Sequence, residues 1–287
     1  MDNSILDMLM SVGEDHNDGP SRTRSALECA RRMRLDETAG AESAATVLSP
    51  HKEGRNVGTI AHKLVWAHHV GEDPELHVPL KSDNADIDVL LNGPRKKGAA
   101  AWKIFNDYAE EFPAGFWGGL VAAEMFLEHY LDGDVRRTGT LDAVWNMDAA
   151  AVERVQNRFE IILDGPGVYI WDLKTASSKT SDLFAKWEWD PQPGQYLWLA
   201  KQENLAPKGM IVMQATGYKV AKTGKQPDTD FSACFVPAPD ETGEQRWLLQ
   251  VEKALDALAH DTINPPGPCH AWFRECPHKT SGECEGV

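Results

Sequence analysis

The chain of 287 residues contains no apolar run near the roughly 18 residues that a membrane-spanning helix requires. Its first residues, MDNSILDMLMSVGED, lack the basic stretch followed by an apolar one that marks a secretory signal. Both absences predict a cytoplasmic protein that keeps away from membranes. Basic residues are also scarce: 29 Lys and Arg stand against 44 Asp and Glu, for a net charge of −15. Such a balance argues against a protein that coats nucleic acid through phosphate neutralisation. It leaves room for an enzyme with a local basic groove and divalent metals beside an acidic surface. Cysteines are few, five in all, and a reducing compartment excludes a disulfide framework for them.

What is present is the composition of an ordinary folded domain, 42% hydrophobic and 25% charged. Residues 1–20 read as a flexible acidic leader, and 21–287 as a single domain. A helix is predicted from Ser21, which can cap it, with Ala26, Leu27, Ala30 and Met33 as its stripe. Further helices are predicted over Gly58–Val70 and about Gly98–Glu111, with 37–55 a loop and 71–98 irregular between them. Strands are then expected at Met125–Leu131, Thr140–Met147, Arg158–Leu163 and Val168–Lys174, the last two as a hairpin turning at Gly165-Pro-Gly167. A helix over QPGQYLWLAKQ, strands near Gly209–Tyr218 and Asp230–Val236, and a helix at about Glu241–His260 complete the core. This order predicts a mixed α/β or α+β sheet flanked by helices.

The candidate chemistry centres on Tyr169-Ile-Trp-Asp172-Leu-Lys174-Thr. Two residues apart on a strand, Asp172 and Lys174 share a face, and a carboxylate beside an ammonium can hold a cation and position a water for attack on phosphorus. Upstream, Gly139-Thr-Leu-Asp142 brings a second acid into a strand, after a strand bearing Glu124 or Glu128. The Arg158–Lys174 hairpin would set Glu160 opposite Asp172, so Glu160 competes with Asp142 as the second acid. Downstream, Gln192 and Tyr196 stand one helical turn apart, and far upstream His62 follows Gly58-Thr-Ile-Ala. The aromatic run Trp187-Glu-Trp189 with Tyr196-Leu-Trp198 reads either as core or as a surface on which bases stack.

The ordered set GTIAH, GTLDAV, DLK and QxxxY resembles the RecB-like branch of the PD-(D/E)XK nuclease superfamily, from about Ser21 to Cys284. Within that branch it is most similar to the CRISPR-associated and phage-encoded iron–sulfur exonucleases. The resemblance implies a restriction-endonuclease-like core in which His62, Asp142 and Asp172, with the Leu173 carbonyl, bind Mg2+ or Mn2+. Lys174 would orient or deprotonate the attacking water, while Gln192 and Tyr196 would support the site and meet the DNA backbone. It further implies a [4Fe–4S] cluster on Cys29, from the segment 21–36, and on Cys269, Cys276 and Cys284, from 264–287. Four thiolates also suit Zn2+, but structural zinc sites favour tight Cys-x2-Cys pairs, and here six and seven residues separate the last three cysteines. His270 and His278 are alternative ligands, and Cys234, between apolar neighbours, is expected in the core.

The function expected is hydrolysis of phosphodiester bonds at DNA ends, on DNA that is single-stranded or has free ends, in recombination, repair or phage DNA processing, beside a helicase or recombinase. Two alternatives stand next to it: a structure-specific endonuclease of the same fold, and a catalytically silent iron–sulfur scaffold or DNA-binding subunit.

Overall fold

The computed structural model describes residues 53–78, 97–131, 135–176, 183–188, 190–217 and 228–260. The expected leader, the helix from Ser21, Cys29, and the tail with Cys269, Cys276, Cys284, His270 and His278 lie outside the described residues.

Among the described residues, twelve elements follow one another: α1 (Glu53–Val70), α2 (Pro74–His77), α3 (Lys97–Glu111), β1 (Gly119–Leu131), β2 (Val135–Met147), α4 (Ala149–Phe159), β3 (Gly167–Thr175), α5 (Leu183–Glu188), α6 (Pro191–Gln202), β4 (Gly209–Thr216), β5 (Asp230–Pro237) and α7 (Glu241–His260). The five strands form one sheet in sequence order. All neighbours run antiparallel except β3 and β4, which are parallel and joined through α5 and α6. Strand β4 is buried along its whole length, as its run Met210-Ile-Val-Met requires of a central strand covered on both faces.

Two apolar cores lie on opposite faces of this sheet. On one, α1 contributes Ile60, Ala61, Leu64 and Val65, which recur at helical spacing, and α3 contributes Ala101, Ile104 and Tyr108. Aromatic rings fill this side: Trp171, Tyr108, Phe112, Trp117 and Phe231 all pack into it. On the other face, α6 and α7 cover Leu141, Ile170 and Val212 with Leu197, Leu199, Trp198 and Trp247. Cys234 is buried in this second core, as expected. No helix among the described residues is long and apolar enough to cross a membrane.

The sequence misleads at one place. Residues 149–159 form α4, and the expected strand Arg158–Leu163 does not exist, so there is no Arg158–Lys174 hairpin. Asp148 caps the helix by accepting the Ala151 N–H at 2.8 Å, and Ala151, Val152 and Val155 supply its buried stripe. The helix stops at Glu160, whose φ of 55° is left-handed. The run Ile161-Ile-Leu163 that suggested a strand is an extended connection. Ile162 is 85% exposed, while the Leu163 N–H is held by the Gln156 side chain at 2.9 Å. Strand β1 also starts six residues earlier than expected and β2 five.

Candidate active site

The site is built where the sheet parts. The β2–β3 ladder runs from Met147 opposite Gly167 to Ala143 opposite Trp171, and ends there. One step further would set Asp142 against Asp172. Instead β2 continues along β1, pairing Leu141 with Met125, while β3 continues along β4, pairing Asp172 with Val212 and Lys174 with Gln214. Parting strands leave backbone groups without ladder partners, and a buried N–H must be satisfied elsewhere. The Leu173 N–H donates to Asp142 Oδ2 at 2.8 Å, so this carboxylate replaces the missing rung. N–H and C=O of one strand residue lie on the same side, so the Leu173 carbonyl is turned to the same gap.

The β1–β2 pairing is irregular at the same level. Ala123 pairs with Ala143 and Met125 with Leu141, but Glu124, which stands between them opposite Asp142, forms no rung. Its φ of 47° is left-handed, a costly conformation for a side chain with a Cβ. The alternation of faces breaks here as well, since Leu141 packs into the α6-side core and Ala143 into the α1-side core.

Two glycines bring the flanking helices close. A Cβ on Gly58 would lie 2.9 Å from Thr175 Oγ1, so only glycine lets α1 settle against the end of β3. One turn later His62 meets the gap, with Nδ1 3.2 Å from Asp142 Oδ2. On the opposite face, a Cβ on Gly139 would lie 2.7 Å from Tyr196 Cε1, so the Tyr196 ring lies directly on β2. Asp190 caps α6 by accepting the Gln192 N–H at 2.9 Å, and Gln192 hydrogen-bonds the Tyr196 hydroxyl.

Asp172 is 1% exposed and forms the floor of the site. Its Oδ1 accepts from Lys174 Nζ at 2.9 Å, and its Oδ2 lies 2.8 Å from the same ammonium. His62, Asp142 and Lys174 each keep about a quarter of their side-chain surface in contact with solvent. The partly exposed groups of the site therefore lie over a buried carboxylate. Lys174 Nζ also stands 5.6 Å from the Trp187 ring centre, a cation–π distance.

Charges in the site compensate one another. Burial drives the Asp172 carboxyl up to about 6, although the Lys174 ammonium pulls the other way and Asp142 adds repulsion. Burial also works against the charged forms of His62, Asp142 and Lys174, but their mutual attraction prevails. His62 and Lys174 are held above their ordinary values and Asp142 below its own. Burial pushes the Tyr196 phenol up to about 12, so it stays a neutral hydrogen-bonding group.

The structure thus brings together His62, Asp142, Asp172, Leu173, Lys174, Gln192 and Tyr196. Glu160 is exposed at the C-terminus of α4, and with the hairpin gone it has no place opposite Asp172. Trp187, Tyr196 and Trp198 are core residues, all under 9% exposed, so the stacking surface considered for them is not available; Trp189 lies outside the described residues. Lys63, next to His62, was not singled out in the sequence. Its Nζ lies 3.9 Å from Glu124 and 3.6 Å from the Trp66 ring centre, at the rim of the site.

The donors fit a divalent cation in kind. Imidazole, carboxylate and carbonyl groups suit Mg2+ or Mn2+, and the buried Asp172 Oδ2 faces the Lys174 ammonium at 2.8 Å without hydrogen-bond geometry. They stand as two pairs, His62 with Asp142 and Asp172 with Lys174, joined through the Leu173 amide. Among the described residues no three His, Cys, Asp or Glu side chains converge on a single ion-sized point.

Against known proteins, the family model of the PD-(D/E)XK nuclease superfamily matches residues 19–281. No curated protein matches the sequence. A solved structure described as "Crystal structure of SSO0001" is similar over 91% of this chain and 85% of its own, at 12% identity and a TM-score of 0.43.

Proposed function

The chain belongs to the PD-(D/E)XK nuclease superfamily, and from that premise we propose that it is a metal-dependent exonuclease hydrolysing phosphodiester bonds at DNA ends. One observation supports this above others. His62, Asp142, Asp172 and Lys174, spread over more than a hundred positions, meet where β2 and β3 part.

His62, Asp142, Asp172 and the Leu173 carbonyl would hold Mg2+ or Mn2+, which supplies positive charge for the attacking and leaving oxygens of a phosphate. Lys174, when released from Asp172, is placed to orient the attacking water and to stabilise negative charge on the phosphate. Asp142 keeps the His62 imidazole oriented, and the Leu173 amide keeps Asp142 oriented. Tyr196 and Gln192, neutral and hydrogen-bonded to each other, brace the far wall beneath Lys174.

The resemblance to iron–sulfur exonucleases implies a [4Fe–4S] clamp on Cys29, Cys269, Cys276 and Cys284, which would tie the two ends of the chain together and stabilise both. Processing of DNA in recombination, repair or phage replication follows from the resemblance to iron–sulfur exonucleases, and a helicase or recombinase is the partner it suggests.

The deciding experiment compares parent and Lys174→Ala protein, purified without air, on end-labelled linear and on circular DNA with Mn2+. Loss of degradation in the variant, and degradation of linear DNA alone by the parent, are expected. Undiminished digestion by Lys174→Ala would remove the catalytic assignment, and equal digestion of circles would make the enzyme an endonuclease. Both proteins should be brown, with about four iron and four sulfide per chain; a colourless protein with one zinc would overturn the cluster.

A further inference from the structure

The aromatic residues that the sequence offered as a stacking surface are buried, but two others are not. Phe126 and Tyr130 on β1 are 53% and 55% exposed. Four residues apart on one strand they share a face, about 13 Å from each other. Strand β1 is an edge of the sheet, and its β2 partner at this level carries Thr140 opposite Phe126 and Arg136 opposite Tyr130. Thr140 is two residues, about 7 Å, from Asp142. The two rings therefore form a track that leads along the β1–β2 arm to the candidate active site.

The track is organised and neutral in charge. Glu128 lies between the rings on the same face. Arg136 donates to its Oε2 through Nε at 2.9 Å and Nη2 at 2.5 Å, and Tyr130 hydrogen-bonds the same carboxylate. One carboxylate thus fixes a phenol and a guanidinium on the open face of the arm, and its own charge is cancelled. At the inner end stands Lys63, packed on Trp66 and next to His62. Two large exposed rings on one face, a cation where the track meets the site and, among the described residues of the arm, no stripe of lysines suit bases better than a duplex backbone.

We propose that the β1–β2 arm is a binding platform for single-stranded DNA, with bases stacking on Phe126 and Tyr130 and the backbone passing Lys63 into the site. This rests on the nuclease reading of the pocket. It names the substrate as an unpaired strand, because stacking on these rings requires bases free of a partner.

The test is fluorescence anisotropy of a dye-labelled oligothymidylate with full-length protein in EDTA, where nothing is cleaved. Phe126→Ala and Tyr130→Ala should each weaken binding roughly tenfold, the usual effect of removing one stacking ring, while Phe126→Trp should restore it. The parent should bind a duplex of equal length more weakly than the single strand. Retained melting temperatures would show that the exposed substitutions leave the fold intact. Parent-like binding by both alanine variants overturns the proposal, as does a change from dimer to monomer on substitution, which would make the arm a contact between copies of this chain. The two readings fail separately. If Lys174→Ala still digests DNA, the pocket is misassigned; if it does not, and the ring variants bind normally, only the platform is lost.

Discussion

Two strand pairings in the same sheet behave differently. Between β4 and β5 the register is unbroken for eight rungs, from Gly209 opposite Pro237 to Thr216 opposite Asp230. Between β2 and β3 it lasts five rungs and stops where Asp142 and Asp172 would meet. The complete ladder satisfies its own backbone and presents mostly apolar side chains to the cores, with the buried polar Gln214 and Thr216 confined to one end. The interrupted one leaves a backbone amide to a carboxylate, buries an ammonium–carboxylate pair, and forces Glu124 into a left-handed conformation beside it. Under the proposed function, stability resides in the first pairing and chemistry in the second, because a site needs polar groups that regular pairing would have consumed.

The comparison can be broken from either side. Lys174→Ala, in the interrupted pairing, should lower kcat roughly a thousandfold, the scale on which a single charge-stabilising group acts. Ile211→Ala, in β4, should reduce unfolding free energy by about 2–5 kcal/mol while the remaining folded enzyme keeps its kcat, since Ile211 is fully buried on the strand beyond β3. Urea unfolding beside steady-state assays on linear DNA would read both. If Ile211→Ala abolished turnover in protein still folded, the division between the two pairings would not hold.

Asp142 allows a finer cut, because it acts both as a rung and as an acid. Asp142→Asn keeps an oxygen for the Leu173 N–H, whereas Asp142→Ala leaves that amide unsatisfied at a cost of about 1–3 kcal/mol. Both should be inactive; only the alanine variant should unfold at markedly lower urea. Equal stability of the two would show that the carboxylate does not stand in for the missing rung.

Much of this was legible in the sequence, and the reasons are local. The glycines of GTIAH and GTLDAV stand out as letters before their purpose is known: each removes a Cβ where Thr175 or Tyr196 must come within 3 Å. Asp172 and Lys174 were readable as a pair because alternation along a strand puts them on one face. The helices α1, α3, α6 and α7 were expected close to where they lie, α1 through its apolar period, although the Asp190 cap of α6 was not singled out. What failed was the stretch 148–163. There a capped amphipathic helix is followed at once by Ile161-Ile-Leu, and a short apolar run does not distinguish a strand from an extended connection. The parting of β2 from β3 was not legible either, since register beyond a hairpin is settled by tertiary packing. Nor were Phe126 and Tyr130, because alternation alone does not tell which face of an edge strand is left open.

A test of intermediate size concerns how closely α6 must lie on β2. Gly139→Ala should cost about 1–3 kcal/mol by overpacking, since its methyl would stand 2.7 Å from the Tyr196 ring. Gly115, with φ of 84° and nothing within 4 Å of where a methyl would sit, isolates backbone strain; Gly115→Ala should cost about 1 kcal/mol and leave activity unchanged. A drop in kcat for Gly139→Ala, with none for Gly115→Ala, would tie the position of Tyr196 to the chemistry. Equal kcat in both would free Tyr196 from it.

The last test lies on the α1 side of the sheet, against the regular rungs of the β2–β3 pairing. His69, two turns after His62 on α1, is wedged edge-on against Trp145 and Trp171, and its Nε2 lies 2.7 Å from the Tyr108 hydroxyl. Trp117 donates to that same hydroxyl oxygen at 2.8 Å, which leaves the Tyr108 proton for His69 and the imidazole neutral. Burial accordingly lowers the His69 pKa from 6.5 to about 3, with the neighbouring His68 acting in the same direction. A depressed native value means that the unfolded chain binds the extra proton first. The stability contributed by neutral His69 is therefore complete above pH 6.5 and declines as pH falls towards 3, by at most about 1.4 kcal/mol per pH unit. His69→Phe removes the titrating group, so the stability difference between parent and variant, followed by urea unfolding, should shrink as pH falls from 7 to 5. A difference that stays level over that range would mean that His69 titrates alike in the folded and unfolded chain, and that the aromatic packing around it does not keep it neutral.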